Sequence, residues 1–384
     1  MDRAFLDWPF LPPDAASTYD RADRWAGAAL DGLHDPREER PEAVAAACKA
    51  MAASMAQAGL LDVATSLDAP LSAARLALTR DALARRSALA DFVFAMQGLG
   101  AGPISLFGTP EQKARHLPAV AAGRTLAAFA LSEKEAGSDV AALATTARRE
   151  GADYVLNGAK TWISNAGVAG LYVVFARTGE APGAKGLSAF ILEAGTPGFE
   201  VGEPIELSSP HPLGALRFTE CRVPASSMIG APGEGFRIAM GTLDVFRTTV
   251  GAAALGFARR ALEEMIAHAR TRRLFGGRLS DLQMTQGAIA ERATATDASA
   301  LLVYRAAWRK DQGHRVSKES AMAKLHAAEE AQRTVDAAVQ LFGGLGVTRG
   351  HIAERLYRDV RALRIYEGAS EVQKLVIARA CLNE

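Results

Sequence analysis

What most limits the fold of this chain is the order of its textures: a helical stretch, a β-rich stretch, then a second helical stretch. A doubly wound sheet needs strands and helices to alternate, so that class is excluded. Residues 43–59 and 71–99 are rich in Ala, Leu and Met, with apolar positions recurring every three and four residues, the helical period. Gly59 and the cluster Gly98, Gly100 and Gly102 predict helix stops. Thr109 before Pro110 predicts the N-cap and first position of a further short helix.

The texture changes near residue 126. Residues 153–156, the pair Asn157-Gly158 and residues 160–163 predict a strand, a two-residue turn and a second strand. Residues 171–175, 187–192 and 215–218 predict further strands, and Cys221-Arg-Val-Pro224 closes the segment. From about residue 235 helical periodicity returns over 251–270, 284–311 and 317–342, broken at Phe275-Gly-Gly277 and Gly343-Gly-Leu-Gly346. The class is α+β, mainly α, and 384 residues accommodate two or three domains of roughly 100–200 residues each.

Charge narrows the partners. Lys and Arg number 44 against 43 Asp and Glu, which leaves no electrostatic ground for nucleic-acid or anionic-membrane binding. Cys48, Cys221 and Cys381 lie far apart, without disulfide-framework or metal-ligand spacing, as suits a reducing cytosol. Charges interrupt every apolar run before about 20 residues, so no membrane span is expected. The start, Met1-Asp-Arg-Ala-Phe-Leu-Asp-Trp-Pro-Phe10, has an early acid and no apolar core, which argues against a secretory signal. A cytoplasmic protein is expected. His351-Ile-Ala-Glu354 is H-x-x-E, read as a solvated helix face, and no metal is expected.

Taken singly, the chemical motifs are ambiguous. Gly343-Gly344-x-Gly346 reads as a turn or as a phosphate cradle. Arg272-Arg-Leu-Phe275-Gly276 reads as a solvated helix end with cations near the C-terminal dipole. Asp244 and Arg247, three apart on one helix face, read as a surface ion pair of about 0.2–0.5 kcal/mol. Trp162 on a hairpin reads as core, and His211 between two prolines reads as a structural loop residue. In combination the picture changes. Phe129-Ala-Leu-Ser-Glu-Lys-Glu-Ala-Gly-Ser-Asp139, Trp162-Ile-Ser-Asn165, Arg272-x-x-Phe275-Gly276, Gln340-Leu-Phe-Gly-Gly344 and Tyr366-Glu-Gly-Ala-Ser-Glu371, in this order, resemble the acyl-CoA dehydrogenase family. The resemblance covers nearly the whole chain and is clearest from Phe107 onward.

It implies an N-terminal helical domain (1–125), a small β-barrel-like middle domain (126–234) and a C-terminal four-helix bundle (235–384). It implies FAD as cofactor. Phe129, Leu131, Ser132, Gly137 and Ser138 would line the flavin ring, with backbone N–H groups and the Ser132 hydroxyl at the edge where negative charge collects. Trp162, Ile163 and Ser164 would lie beside the ring. Arg272, Phe275, Leu282 and Gln283 would contact the pyrophosphate and adenine of a neighbouring subunit's FAD, completed by Gln340, Leu341, Phe342, Gly343 and Gly344. Ala369, Ser370 and Glu371 would also touch FAD.

For the substrate, the resemblance assigns the acyl-CoA to Ser138, Asp244, Arg247 and Gly368, and the catalytic base to Glu367. A desolvated carboxylate suits removal of a weakly acidic α-proton while hydride leaves the β-carbon. The alternative for Glu367 is a helix cap or tether. Departures are Ala369 and Glu371, where relatives usually have Thr and Gln, and the loop Ser208-Ser-Pro-His-Pro-Leu-Gly214, which carries His211. The first two would alter cofactor affinity or redox poise, and the loop sets aside an ordinary fatty-acyl assignment, so straight, branched, alicyclic and dicarboxylic chains all stay open. The resemblance implies a homotetramer or dimer, and an electron-transfer flavoprotein as acceptor. Its alternatives are a flavin oxidase or monooxygenase of the same fold, or a non-catalytic acyl-CoA or acyl-carrier binding relative.

Overall fold

The structure, a computed structural model, describes residues 3–65 and 70–383; Met1 and Asp2, in the acidic start read above, lie outside them. Six helices come first: α1 (Ala15–Leu33), α2 (Pro41–Gln57), α3 (Leu61–Thr65), α4 (Ala73–Arg86), α5 (Ala88–Phe107) and α6 (Pro110–Ala121). Strands follow: β1 (Ala127–Ala130), β2 (Thr146–Glu150), β3 (Asp153–Ser164), β4 (Leu171–Arg177), β5 (Leu187–Glu193), β6 (Phe199–Pro204), β7 (Leu213–Pro224) and β8 (Met228–Ile229). The rest is α7 (Gly235–Thr271), the ribbon β9 (Arg273–Leu274) and β10 (Gly277–Arg278), then α8 (Gln283–Asp311), α9 (Ser317–Phe342), α10 (Ile352–Arg361) and α11 (Ser370–Leu382). The chain is mostly helical, and its main sheet strands fall between two helical stretches, as expected.

Local signals hold at α6. The Thr109 hydroxyl accepts the Gln112 N–H while the Gln112 side chain accepts the Thr109 N–H, a reciprocal cap with Pro110 at the first helical position. The stretch 71–99 is two helices rather than one, parted at Ser87, whose backbone is extended and whose hydroxyl accepts the Ala90 N–H. The glycines at 98, 100 and 102 stop nothing, because α5 runs on to Phe107. A Cβ at Gly100 would lie 2.6 Å from the Ala127 carbonyl carbon, so this glycine lets β1 cross the helix closely. By length and composition α5 is apolar enough to cross a membrane, contrary to the interrupted-run reading, but it is a buried core helix.

The expected turn at Asn157-Gly158 is also displaced. β3 continues through it, with a register shift against β7 between Leu156 and Gly158. Gly158 sits at φ +143, where a Cβ would meet Thr145 at 2.7 Å, so it marks a bulge and a close approach. The two-residue turn lies upstream, between Glu150 and Asp153, with Gly151 at φ 61.

The chain forms two compact units. The first comprises residues 1–30, 72–91 and 244–384. In it α9 packs on α8, α10 and α11, and α4 packs on α8. Its core stacks Phe5 on Tyr304 and buries Asp81, which accepts from Tyr304 at 2.7 Å and from Arg259 at 3.2 Å. The second comprises residues 31–71 and 92–243 and holds the eight-stranded sheet, ordered β6-β7-β3-β2-β4-β5-β8 with β1 parallel to β4. β4 and β5 are buried nearly throughout, as their unbroken apolar runs require.

Candidate active site

In the sheet unit, a second irregularity of β3 between Lys160 and Ile163 shapes a surface. Trp162 (φ 58) and Asn165 (φ 64) are left-handed there. The bulge turns the Trp162 indole outward, 58% exposed, while Ile163 is buried. The core reading of Trp162 therefore fails: a large flat ring stands uncovered where the resemblance places a flavin, and it fits such a ligand. Ser164 is half-buried beside it. Asn165 anchors the end of the strand, its Nδ2 donating to the Ala127 carbonyl and its N–H to the Pro212 carbonyl, both at 2.9 Å.

The adjoining loop is held by two residues that the motif reading left without a role. Buried Lys160 donates from Nζ to the Leu131 carbonyl at 3.1 Å and pairs with Glu133 at 2.7 Å. Glu133 also accepts the N–H groups of Ala144 and Thr145. Burial pushes the Lys160 ammonium down to about 8. Burial would raise Glu133, but Lys160 and the Ala144 N–H hold it below the usual carboxylate range. Their signal was an acid inside the Phe129–Asp139 motif and a base two residues before Trp162. The Phe129 ring packs on Phe175 at 4.9 Å and Leu131 is buried. Gly137 and Ser138 are exposed, and a Cβ at Gly137 would meet no atom within 4 Å. His211 lies on Phe92 at 4.2 Å with Nδ1 3.2 Å from the Ser209 carbonyl; burial drives its pKa down to about 4, so it is a neutral residue of its loop.

In the helical unit, the pair on α7 is no surface ion pair. Arg247 is buried, donating to Asp244 at 3.1 Å and reaching the Glu367 carbonyl at 3.4 Å, while Ser317 donates to the other Asp244 oxygen at 2.9 Å. Glu367 (φ 52) and Gly368 (φ 92) form a left-handed turn, a costly conformation for Glu that neighbouring groups must hold. Gln373 Nε2 and Lys324 Nζ each donate to the Gly368 carbonyl at 2.8 Å. The Glu367 Oε2 atom is buried and has no hydrogen-bond partner among the described residues. Burial raises its pKa; Arg80, Arg247 and Lys324 oppose the rise and Asp91 adds to it. Arg80 is itself gripped by Asp91 through two bonds of 2.8 Å and donates to Thr249 at 3.0 Å. An uncommitted, desolvated carboxylate with a raised pKa can take a proton from carbon.

Lys324, Gln373, Arg80 and Asp91 were absent from the motif reading. Lys324 had a signal: it interrupts the small-residue stripe Ser320, Ala323, Ala327 and Ala331 of α9, all buried.

Elsewhere in this unit, His268 packs on Phe342 at 4.2 Å, bringing the ends of α7 and α9 together. Arg272, Leu282, Gln283, Gln340, Gly343 and Gly344 are exposed, Leu341 and Phe342 partly so, and Phe275 (φ 50) is 91% exposed at the tip of the β9–β10 ribbon. His351 is not a solvated face residue: its Nδ1 accepts the Ala353 N–H and caps α10. The cap alternative for Glu367 fails, since Ala369 holds the N-cap position of α11, without a capping side chain. Ser370 is buried and donates to Glu329 at 2.7 Å, and Glu371 is exposed. Ala369→Thr is therefore expected to stabilise the unit by about 0.5–2 kcal/mol through a new cap. Denaturant midpoints of the cofactor-free protein check this, and a variant no more stable than the parent refutes it.

Residues 20–124, 128–221 and 233–382 match the N-terminal, middle and C-terminal domain families of acyl-CoA dehydrogenase. The human mitochondrial short-chain specific acyl-CoA dehydrogenase is 45% identical over 282 residues, covering 72% of this chain and 68% of that protein. The cyclohexane-1-carbonyl-CoA dehydrogenase of Geobacter metallireducens is 40% identical over 305 residues, 79% of this chain and 80% of that protein. The butyryl-CoA dehydrogenase structure from Megasphaera elsdenii superposes with a TM-score of 0.89 at 32% identity, covering 98% of this chain and 100% of that one.

Proposed function

From the premise that this chain belongs to the acyl-CoA dehydrogenase family of FAD-dependent oxidoreductases, we propose that it oxidises an acyl-CoA thioester to the 2,3-enoyl-CoA with Glu367 as base. The observation that carries this reading is the buried, unpartnered Glu367 Oε2 in its braced left-handed turn. FAD, held by the residues assigned below, would supply the acceptor for the hydride that leaves the β-carbon. Glu367 takes the α-proton onto its carboxylate. The raised pKa makes it a stronger base, and Arg80, Arg247 and Lys324 favour its ionised form. The Glu367 N–H is assigned to the thioester oxygen, where negative charge grows as the α-proton leaves. Trp162, Ser164, Ser132 and the 129–138 loop are assigned to the flavin ring. Arg272, Phe275, Leu282, Gln283 and 340–344 are assigned to the dinucleotide of a neighbouring subunit's FAD, which their exposure supports.

This assignment carries a three-domain organisation (1–125, 126–234, 235–384), a homotetramer and an electron-transfer flavoprotein as acceptor. The three unpaired cysteines support a cytoplasmic setting. Anaerobic mixing of the yellow protein with CoA thioesters of straight, branched, alicyclic and dicarboxylic acids is the test. Bleaching by one class identifies the acyl chain, and an FAD-loaded protein that stays oxidised against the whole panel overturns the reading. Arg272→Ala should lower FAD retention and shift the oligomer together, by loss of a charge-assisted phosphate contact. Absorbance and size-exclusion measurements decide it, and a fully yellow oligomer of unchanged size would remove Arg272 from the FAD site.

A further inference from the structure

Around the proposed base, the backbone carbonyls are as closely managed as the carboxylate. Gly368 offers one carbonyl to two buried side chains, Lys324 and Gln373, each at 2.8 Å. The Glu367 carbonyl faces Arg247 and Gln373 at 3.4 Å each. A left-handed Glu–Gly pair relaxes unless such contacts hold it. Of these donors, Gln373 is neutral and Arg247 shares its charge with Asp244. Lys324 is fully buried and its ammonium donates to a carbonyl, so among the described residues its positive charge is met by no carboxylate within salt-bridge distance.

We propose that Lys324 is a positioning residue for Glu367: its ammonium holds the Gly368 carbonyl and places an unneutralised positive charge where it acts on the Glu367 carboxylate. The inference rests on Glu367 being the base. The charged groups acting on that carboxylate are Arg80 of α4, Asp91 of α5, Arg247 of α7 and Lys324 of α9. Lys324 in turn feels Glu367 first, then Arg247, Glu329 and Glu371, and burial draws its own pKa down to about 8. Removing a cation from a buried carboxylate raises the carboxylate's pKa further. The base form is then populated only at higher pH.

The test is the rate of substrate-driven flavin bleaching against pH, by rapid mixing, for the FAD-loaded protein and its variants. Lys324→Met should move the acid limb up by about 1–3 pH units, Lys324→Arg should return it towards the parent, and Gln373→Met should lower the rate without moving the limb. Lys324→Gln, which keeps a donor for Gly368 but no charge, serves the same comparison if the Met variant does not fold. An unmoved limb in the neutral variants, or failure of both to fold, makes Lys324 a structural residue and overturns the proposal. Glu367→Gln is run in the same series. If it bleaches like the parent, the base assignment itself has failed; if it is slow while the Lys324 variants keep the parent profile, only the present inference has.

Discussion

Glu367→Gln is expected to slow flavin bleaching by substrate by about 10²–10⁴-fold, the usual worth of a positioned general base. The amide keeps the size of the side chain but is essentially non-basic. FAD retention and product binding should survive, because no contact assigned to either depends on the carboxylate. Stability provides a second readout with a definite sign. The folded protein binds the Glu367 proton more tightly than the unfolded chain does, since burial raises this pKa. The carboxyl therefore makes stability fall as pH rises from the ordinary carboxylate range through the raised value. The Gln variant should lack that contribution and be at least as stable as the parent near neutral pH, as when a function-bearing buried charge is removed. Rapid mixing on the yellow, product-binding variant is the measurement. Bleaching near the parent rate would send the search for the base to another carboxylate.

Asp91→Ala is expected to cost about 3–5 kcal/mol, because it strands a buried guanidinium. Arg80 is buried, two of its three nitrogens bond Asp91, and the third donates to the neutral Thr249 hydroxyl. Without the carboxylate, the charge keeps its desolvation cost and loses its main partner. The urea midpoint should fall with an unchanged slope, which separates lost stability from a changed unfolded state. Replacing both partners, Arg80→Met with Asp91→Leu, should recover most of the loss, since apolar pairs of similar volume replace buried ion pairs without penalty. A single-variant loss under about 1 kcal/mol would mean that the pair is far more solvated than its burial indicates.

The sequence by itself determined whatever depends on groups close along the chain. The order of helical and β stretches, the Thr109 cap before Pro110, the α8 and α9 spans and the motifs proposed for the flavin and the base were legible, because periodicity, capping and motif all lie in residues close along the chain. The tertiary structure decided the rest. Gly100 reads as a helix stop until β1 is seen crossing it, and Asn157-Gly158 reads as a turn until Thr145 and β7 lie against it. Trp162 reads as core until the bulge turns it outward. Residues 72–91 join the C-terminal helices, which delivers Arg80 and Asp91 to the surroundings of Glu367. Lys324 becomes a partner of the base only through a carbonyl 44 residues away. Close approach and desolvation are set by which distant segments meet, and no spacing along the chain encodes that meeting, so packing chose the polar residues around Glu367 even though the motif that carries Glu367 was readable.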